Sequence, residues 1–229
     1  MRRLLIAGAL CAVLATNARA GNWPQWRGPQ NNGISAESGP VKWSATENVA
    51  WKLDLPGPAG ATPVVWGDHI FLTAAAKKNL VLLCVSTEGK ELWRRRIATG
   101  NKRVRGDEGN YASPSPCTDG EHVWTFMGNG ALACYDFKGN LKWETDLQER
   151  YGKFEIQFGL SSTPVLYKDR LLVQLIHGKW NKTPSLGKIV ALDKATGKEI
   201  WAKERSTDAI DECKQSYASP IVYADDKRA

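Results

Sequence analysis

A tryptophan recurs at a fixed distance along this chain, and each time it closes the same phrase. Ile189 to Trp201 reads I-V-A-L-D-K-A-T-G-K-E-I-W. Ile189, Val190 and Leu192 form an apolar run. Asp193 to Lys198 supply the Asp, Thr and Gly of a tight turn, and Glu199-Ile200-Trp201 resumes the alternation, so the phrase reads strand, turn, strand. It occurs earlier as L-A-C-Y-D-F-K-G-N-L-K-W, Leu132 to Trp143, and as V-L-L-C-V-S-T-E-G-K-E-L-W, Val81 to Trp93. A second marker keeps step with it: P-V-V-W-G-D from Pro63, P-S-P-C-T-D from Pro114, P-V-L-Y-K-D from Pro164 and P-I-V-Y-A-D from Pro220. Each of these prolines follows a Ser or Thr and precedes an Asp by five residues. They lie 51, 50 and 56 residues apart, while Trp93, Trp143 and Trp201 lie 50 and 58 apart. Two independent markers on one period require a repeat architecture, in which every unit buries its faces against its neighbours.

Each repeat has room for four strands. The first runs from about Thr62 to Arg96, the second from Ser113 to Leu147 and the third from Thr163 to Lys203; a fourth opens at Ser219. The third has an enlarged middle turn, His177 to Lys188. Ten tryptophans and frequent Gly and Pro agree with an all-β chain. Ahead of the repeats, N-V-A-W-K-L (Asn48 to Leu53) places Trp51 like a repeat's closing tryptophan with no first half before it. This predicts an orphan outer strand of the kind that completes the last unit of a ring and covers its free edge. Residues 21–45 read as an irregular lead-in, where Trp23 and Trp26 flank Pro24 and are expected to dock by their aromatic faces. The organisation is thus a leader over 1–20, the lead-in over 21–45 and repeats over 46–229, with the array incomplete at its C-terminal side.

Arg2-Arg3, the apolar run Leu4 to Leu14 and Ala18-Arg19-Ala20 form a cleavable secretory signal, and the mature chain is expected to begin at Gly21. The apolar run is shorter than the ~20 residues that span a bilayer. No transmembrane segment is therefore expected in the mature chain, which belongs in the periplasm or outside the cell. Cleavage removes three of the 31 basic residues and none of the 24 acidic ones, leaving a formal charge of +4. That mild excess gives no reason to expect nucleic acid as a partner.

Four cysteines remain: Cys84, Cys117, Cys134 and Cys213. An even count in an exported chain invites disulfides. With the turns aligned, however, Cys84 and Cys134 fall where Ala191 stands. Equivalent positions of neighbouring units lie too far apart to bridge, so these two read as buried small residues. The sequence leaves the pairing of Cys117 and Cys213 open.

The phrase A-x-D-x-x-T-G-K-x-x-W, complete at Ala191 to Trp201, resembles the repeat of pyrroloquinoline-quinone (PQQ)-type β-propellers. The likeness covers about 45–225. Trp201 with Gly197 matches fully, Trp143 with Gly139 has a turn one residue shorter, and Trp93 with Gly89 has Ser86 in place of the Asp. The resemblance implies four-stranded antiparallel blades, about three of them complete here, from a ring of about seven or eight. It further implies that Trp51, Trp93, Trp143 and Trp201 dock onto neighbouring turns at glycines such as Gly89, Gly139 and Gly197. The family holds PQQ- and calcium-dependent alcohol and sugar dehydrogenases, and also non-catalytic propellers that bind protein partners.

The residues favour the second class. A typical dehydrogenase site of the family has adjacent cysteines, oxygen ligands converging on Ca²⁺ and an Asp base; this chain has no Cys-Cys pair. Asp68, Asp119, Asp169 and Asp225 recur with the fold and read as turn-formers, and Asp211-Glu212 reads as a solvated loop. His69, His122 and His177 lack ligand spacing, and no G-x-S-x-G is present. The expectation is an exported, non-enzymatic binding or scaffold module with a protein or cell-envelope partner and no catalytic, cofactor or metal residues. Arg94, Arg95 and Arg96 and Trp180 are its candidate partner contacts. The alternative is a fragment of a PQQ- and calcium-dependent dehydrogenase.

Overall fold

A computed structural model describes residues 21–104, 109–154, 159–176 and 187–223. The leader, Trp180 and most of the enlarged third-repeat turn lie outside the described residues. Three four-stranded antiparallel sheets follow one another along the chain, each a simple meander. The first is β1 (Val64–Trp66), β2 (His69–Ala76), β3 (Asn79–Ser86) and β4 (Glu91–Thr99). A small ladder of β5 (Arg103–Val104) and β6 (Gly109–Asn110) leads to the second sheet, β7 (Cys117–Thr118), β8 (His122–Phe126), β9 (Ala131–Asp136) and β10 (Leu141–Asp146). A short helix, α1 (Leu147–Tyr151), is capped by Asp146, whose carboxylate accepts the Gln148 and Glu149 N–H groups. The third sheet is β11 (Val165–Tyr167), β12 (Arg170–Leu175), β13 (Lys188–Asp193) and β14 (Glu199–Glu204).

Burial orders the strands within each blade. The second and third strands are apolar runs whose central residues are buried, as expected of strands covered on both faces. The fourth strands alternate between exposed and half-buried positions and form the rim. Two dry interfaces join the three blades. Phe71, Leu82 and Cys84 of blade 1 meet Val123, Ala133 and Tyr135 of blade 2. Trp124, Phe126 and Leu132 of blade 2 meet Leu171, Val173 and Leu192 of blade 3.

Strand register corrects one repeat boundary. Cys117 stands opposite Trp124 as Val64 stands opposite Phe71 and Val165 opposite Leu172. Pro116, not Pro114, is therefore the equivalent of Pro63 and Pro164, and Ser115 is the equivalent of Thr62 and Thr163. The P-S-P sequence offers a proline at both places. Register is decided by which side chain enters the core, and that residue is the fully buried Cys117.

The lead-in docks differently from the expectation. Trp23 exchanges both backbone hydrogen bonds with Val65, Pro24 O accepts the Thr118 N–H at 2.8 Å, and Gln25 Oε1 accepts the Leu166 N–H at 3.3 Å. Val65, Thr118 and Leu166 occupy one equivalent position in three successive blades. Three consecutive residues thus cover three inner strand edges, and backbone and amide groups, rather than aromatic faces, make the contact. Residues 49–53 form no strand among the described residues, because no neighbouring strand lies beside them; Trp51 nevertheless docks as described below. Ile221–Tyr223, at the opening of repeat four, likewise form no strand.

The docking turns permit a comparison between two glycines. Gly139 has φ +78°, and a Cβ there would lie 2.9 Å from the Trp93 ring; Gly67 has φ +55° with open space around it. Gly139→Ala should cost about 2–3 kcal/mol, the left-handed backbone penalty plus displacement of the indole, whereas Gly67→Ala should cost about 1 kcal/mol. Urea denaturation of the two variants side by side checks this, and equal losses would show that the indole contact adds nothing.

Candidate functional site

On the outer side, the docking contacts are built around turns. The Trp51 indole N–H donates to Thr87 O at 2.7 Å, that of Trp93 to Phe137 O at 2.8 Å and that of Trp143 to Lys194 O at 3.0 Å. Each indole lies against the glycine of the same turn, Gly89, Gly139 and Gly197, so closely that a Cβ there would come within 2.6, 2.9 and 2.7 Å. A β-bulge just before each of Trp93, Trp143 and Trp201, at Leu92, Lys142 and Ile200, gives the outer strand a local twist there. Across the strand, Trp93 faces Cys84, Trp143 faces Cys134 and Trp201 faces Ala191, so a small residue stands beside each indole. Trp201 packs with Tyr167 and Val222, and among the described residues its N–H meets no carbonyl.

Sequence reading missed the second member of this clamp. Arg95 Nε donates to Gly139 O at 2.7 Å, and Arg150 Nη1 donates to Gly197 O at 2.9 Å. Arg95 also lies over the Trp93 ring, 5.4 Å from its centre. Of the three arginines named as partner contacts, Arg95 is therefore engaged between blades. Arg94 forms a two-pronged pair with Glu91, at 2.5 Å for the shorter contact. Arg96 is exposed.

Lys194 joins blades 2 and 3 in two ways. Its carbonyl accepts the indole N–H of Trp124 at 2.9 Å as well as that of Trp143, and its ammonium donates to Asp119 Oδ2 at 2.7 Å. Burial pushes the Asp119 carboxyl up; Lys194 and the backbone N–H groups of His122 and Glu121 outweigh it and hold the group below its ordinary value. Asp193 is held low by the Thr196 hydroxyl within its own turn. His69 packs on Phe137 and His122 on Trp124, at ring separations of 5.0 and 5.9 Å. All four described cysteines are free; Cys117 is buried and Cys213 exposed, and burial pushes the Cys84 and Cys134 thiols up to about 12.

Beside the first strands, the segments that precede them line an open cavity of about 540 Å³. Trp26 forms one wall, and Ser113, Ser115, Ser161, Thr163 and Ser219 supply hydroxyls from successive repeats. A relay of hydrogen bonds runs through it. The Thr62 N–H donates to Ser115 Oγ at 2.9 Å, the Ser115 N–H to Thr163 Oγ1 at 3.1 Å and the Thr163 N–H to Ser219 Oγ at 2.9 Å. These are the equivalent pre-proline positions in the corrected register. Among the described residues, no group of three or more His, Cys, Asp or Glu is placed to hold a metal ion. Among the described residues, the side chains of the cavity wall offer hydroxyls and an amide.

Trp-clamped, four-stranded antiparallel blades packed face to face around first strands define a β-propeller fold. No known family model and no curated protein matches the sequence. Among solved structures, the chain is similar to the quinohaemoprotein alcohol dehydrogenase from Comamonas testosteroni, with 18% identity and a TM-score of 0.60 over 83% of this chain and 28% of that one. It is also similar to BamB from Moraxella catarrhalis, with 15% identity and a TM-score of 0.42 over 71% of this chain and 42% of that one. This chain therefore spans less than half the length of either. The first likeness carries the PQQ-like propeller fold and nothing beyond the fold. Among the described residues no helix is long and apolar enough to cross a membrane.

The Asp119–Lys194 pair makes a pH prediction. A carboxyl whose folded pKa is depressed adds stability that is fully present above its unfolded pKa and is lost as pH falls through the folded value. Asp119→Asn should therefore flatten the acid limb of stability against pH and leave the neutral-to-basic limb parallel to wild type. Midpoints from denaturant titrations across the acid range check this, and an unchanged acid limb would show that the pair contributes nothing.

Proposed function

We propose that this chain is a non-enzymatic binding or scaffold module, exported to the periplasm or cell surface, whose rim engages a protein or cell-envelope partner. The observation that carries this reading is the outer edge of the blades. Leu92, Leu141 and Ile200 stand 49%, 48% and 42% exposed, one on each successive outer strand: Leu92 and Ile200 directly before Trp93 and Trp201, and Leu141 two residues before Trp143. Apolar side chains held on strands, with the exposed Arg96 cation on the first of them, have the make-up of a recognition surface: apolar anchors within a polar surround. Four of the described acidic groups have structural roles. Asp119 bridges two blades, Asp136 and Asp193 close turns, and Asp146 caps α1. Export rests on the N-terminal leader and its Ala18-Arg19-Ala20 cleavage signal.

The test has two arms. Photo-crosslinking residues placed at Leu92, Leu141 and Ile200 should capture an envelope protein in the native host, and charged replacements there should abolish capture while leaving the melting temperature unchanged. Thermal unfolding with PQQ and Ca²⁺ should show no shift. A cofactor bound only by the folded state would add ~2.7 kcal/mol at a hundredfold excess over its Kd. A shift of that size would overturn this reading in favour of a PQQ- and calcium-dependent alcohol or sugar dehydrogenase.

A further inference from the structure

We infer that the groove between blades 1 and 2 is a reversible binding site for an aliphatic diamine, whose two ammonium groups pair with Glu144 and Asp146 of β10. Ile97 and Thr99 line the groove from β4, Ala131 and Ala133 from β9, and Glu144 and Asp146 from β10. Its volume of about 400 Å³ lies within the ~300–1,000 Å³ of ordinary ligand pockets. The ligand is a small molecule, so this inference does not depend on the partner reading.

The repeat explains why a groove exists here. Each closing tryptophan faces a small residue across the ladder: Cys84, Cys134 or Ala191. The residues one and three places before it are equivalent in the three blades. They are Leu83 and Val81 in blade 1 and Val190 and Lys188 in blade 3, but Ala133 and Ala131 in blade 2. Blade 2 thus presents two methyl groups toward blade 1 where the other repeats carry longer side chains.

Blade 3 shows what fits such a place. Lys188 stands opposite Glu204 in the ladder, its ammonium 3.6 Å from the carboxylate and 5.7 Å from the centre of the Tyr151 ring. Asp146 is the equivalent of Glu204, and it stands opposite Ala131. The carboxylate is therefore retained in blade 2 while the lysine is not. A second carboxylate, Glu144, stands opposite Ala133 where blade 3 pairs Ala202 with Val190. Both cap bonds of Asp146 go to Oδ1, which leaves Oδ2 for the groove. Thr125 extends the row inward, across the ladder from Ala133. It is fully buried, and among the described residues its hydroxyl oxygen has no hydrogen-bond partner. An unpaired buried polar atom is costly, and an ammonium can donate to this one.

Spacing and chemistry select the ligand. Glu144 and Asp146 are two residues apart on one strand, which sets them on the same side and about 7 Å apart along it. A chain of four or five methylenes between two ammonium groups spans that distance. Its charged ends form charge-assisted hydrogen bonds to the carboxylates. Its methylenes lie over Ala131, Ala133 and Ile97, as a lysine stem lies along apolar surface. A hard metal ion fits less well, because it gathers six or more oxygens and would meet alanine methyl groups beside the two carboxylates.

The full mature chain would be titrated with putrescine and cadaverine by calorimetry, with butylamine and butanediol as singly charged and neutral counterparts. At least one diamine should bind at least about threefold more tightly than butylamine, because its second ion pair forms within one complex. Butanediol should not bind, and added salt should weaken the diamine. Glu144→Gln, at an exposed position, should remove the advantage of the diamine over butylamine. Ala131→Lys restores the blade 3 lysine beside Asp146 and should abolish diamine binding, with the melting temperature at or above that of wild type. Glu144→Gln carries the test should Ala131→Lys lower the melting temperature instead. No binding of either diamine would overturn the inference. So would a diamine no tighter than butylamine, or a diamine affinity unchanged in Glu144→Gln or in a stably folded Ala131→Lys. All of these outcomes are read on purified protein and leave the rim reading to its own crosslinking test.

Discussion

The indole N–H of Trp93 ends on a carbonyl of the next blade, Phe137 O, at 2.8 Å. That bond is the outer half of a coupling that the whole array depends on. Beside the first strands, the Thr62 N–H reaches Ser115 Oγ and the Ser115 N–H reaches Thr163 Oγ1. Each blade thus satisfies polar groups of its neighbour at both ends of its strands. The apolar faces between those ends have one relative placement in which neither set is left unpaired. A slip between blades would bury unpaired N–H and C=O groups, which costs more than the hydrogen bonds themselves contribute. Close packing supplies most of the attraction, while the two polar couplings select the geometry.

The glycines explain why the coupling can be so tight. An indole lies on the left-handed residue of each turn, where a side chain would occupy the same space. Arg95 and Arg150 then complete the turn by donating to that glycine's carbonyl. The third turn is one residue longer than the second, yet its indole acceptor, Lys194 O, follows Asp193 as Phe137 follows Asp136; Lys194 also accepts the Trp124 indole and pairs with Asp119. The same clamp also uses up chemistry. Arg95 and Asp119, which stand out in the sequence, are absorbed into the contacts between blades, while the outer-strand leucines and isoleucine stay exposed on one side and hydroxyls line the cavity on the other.

Much of the fold is legible without coordinates. The period of the tryptophans, the Gly-containing turns and the buried strand runs are local patterns, and local patterns survive in one dimension. The equivalence of Cys84, Cys134 and Ala191 is readable for the same reason, since it follows from counting back from each turn. The cavity was less legible. The hydroxyls belong to Ser- and Thr-containing segments, Tyr111 to Pro116, Leu160 to Pro164 and Tyr217 to Pro220, whose recurrence is compatible with a purely structural role. Trp66 packing on Gly120, Lys194 receiving two indoles and the path of Trp23 to Gln25 across three inner strands had no sequence signal at all. Each joins residues that are remote in the chain and carries no motif of its own.

By itself, the sequence determined that this chain builds Trp-closed, four-stranded units on a period of about fifty residues, because strand alternation and turn chemistry act between near neighbours. Tertiary structure decided the rest. It placed Pro116 rather than Pro114 in register, because the buried Cys117 has to match Val64 and Val165. It turned Arg95 inward, because the Gly139 carbonyl of the next blade lay within reach. It gathered hydroxyls from successive repeats into the cavity that Trp26 lines, because only packed blades bring their pre-proline residues together.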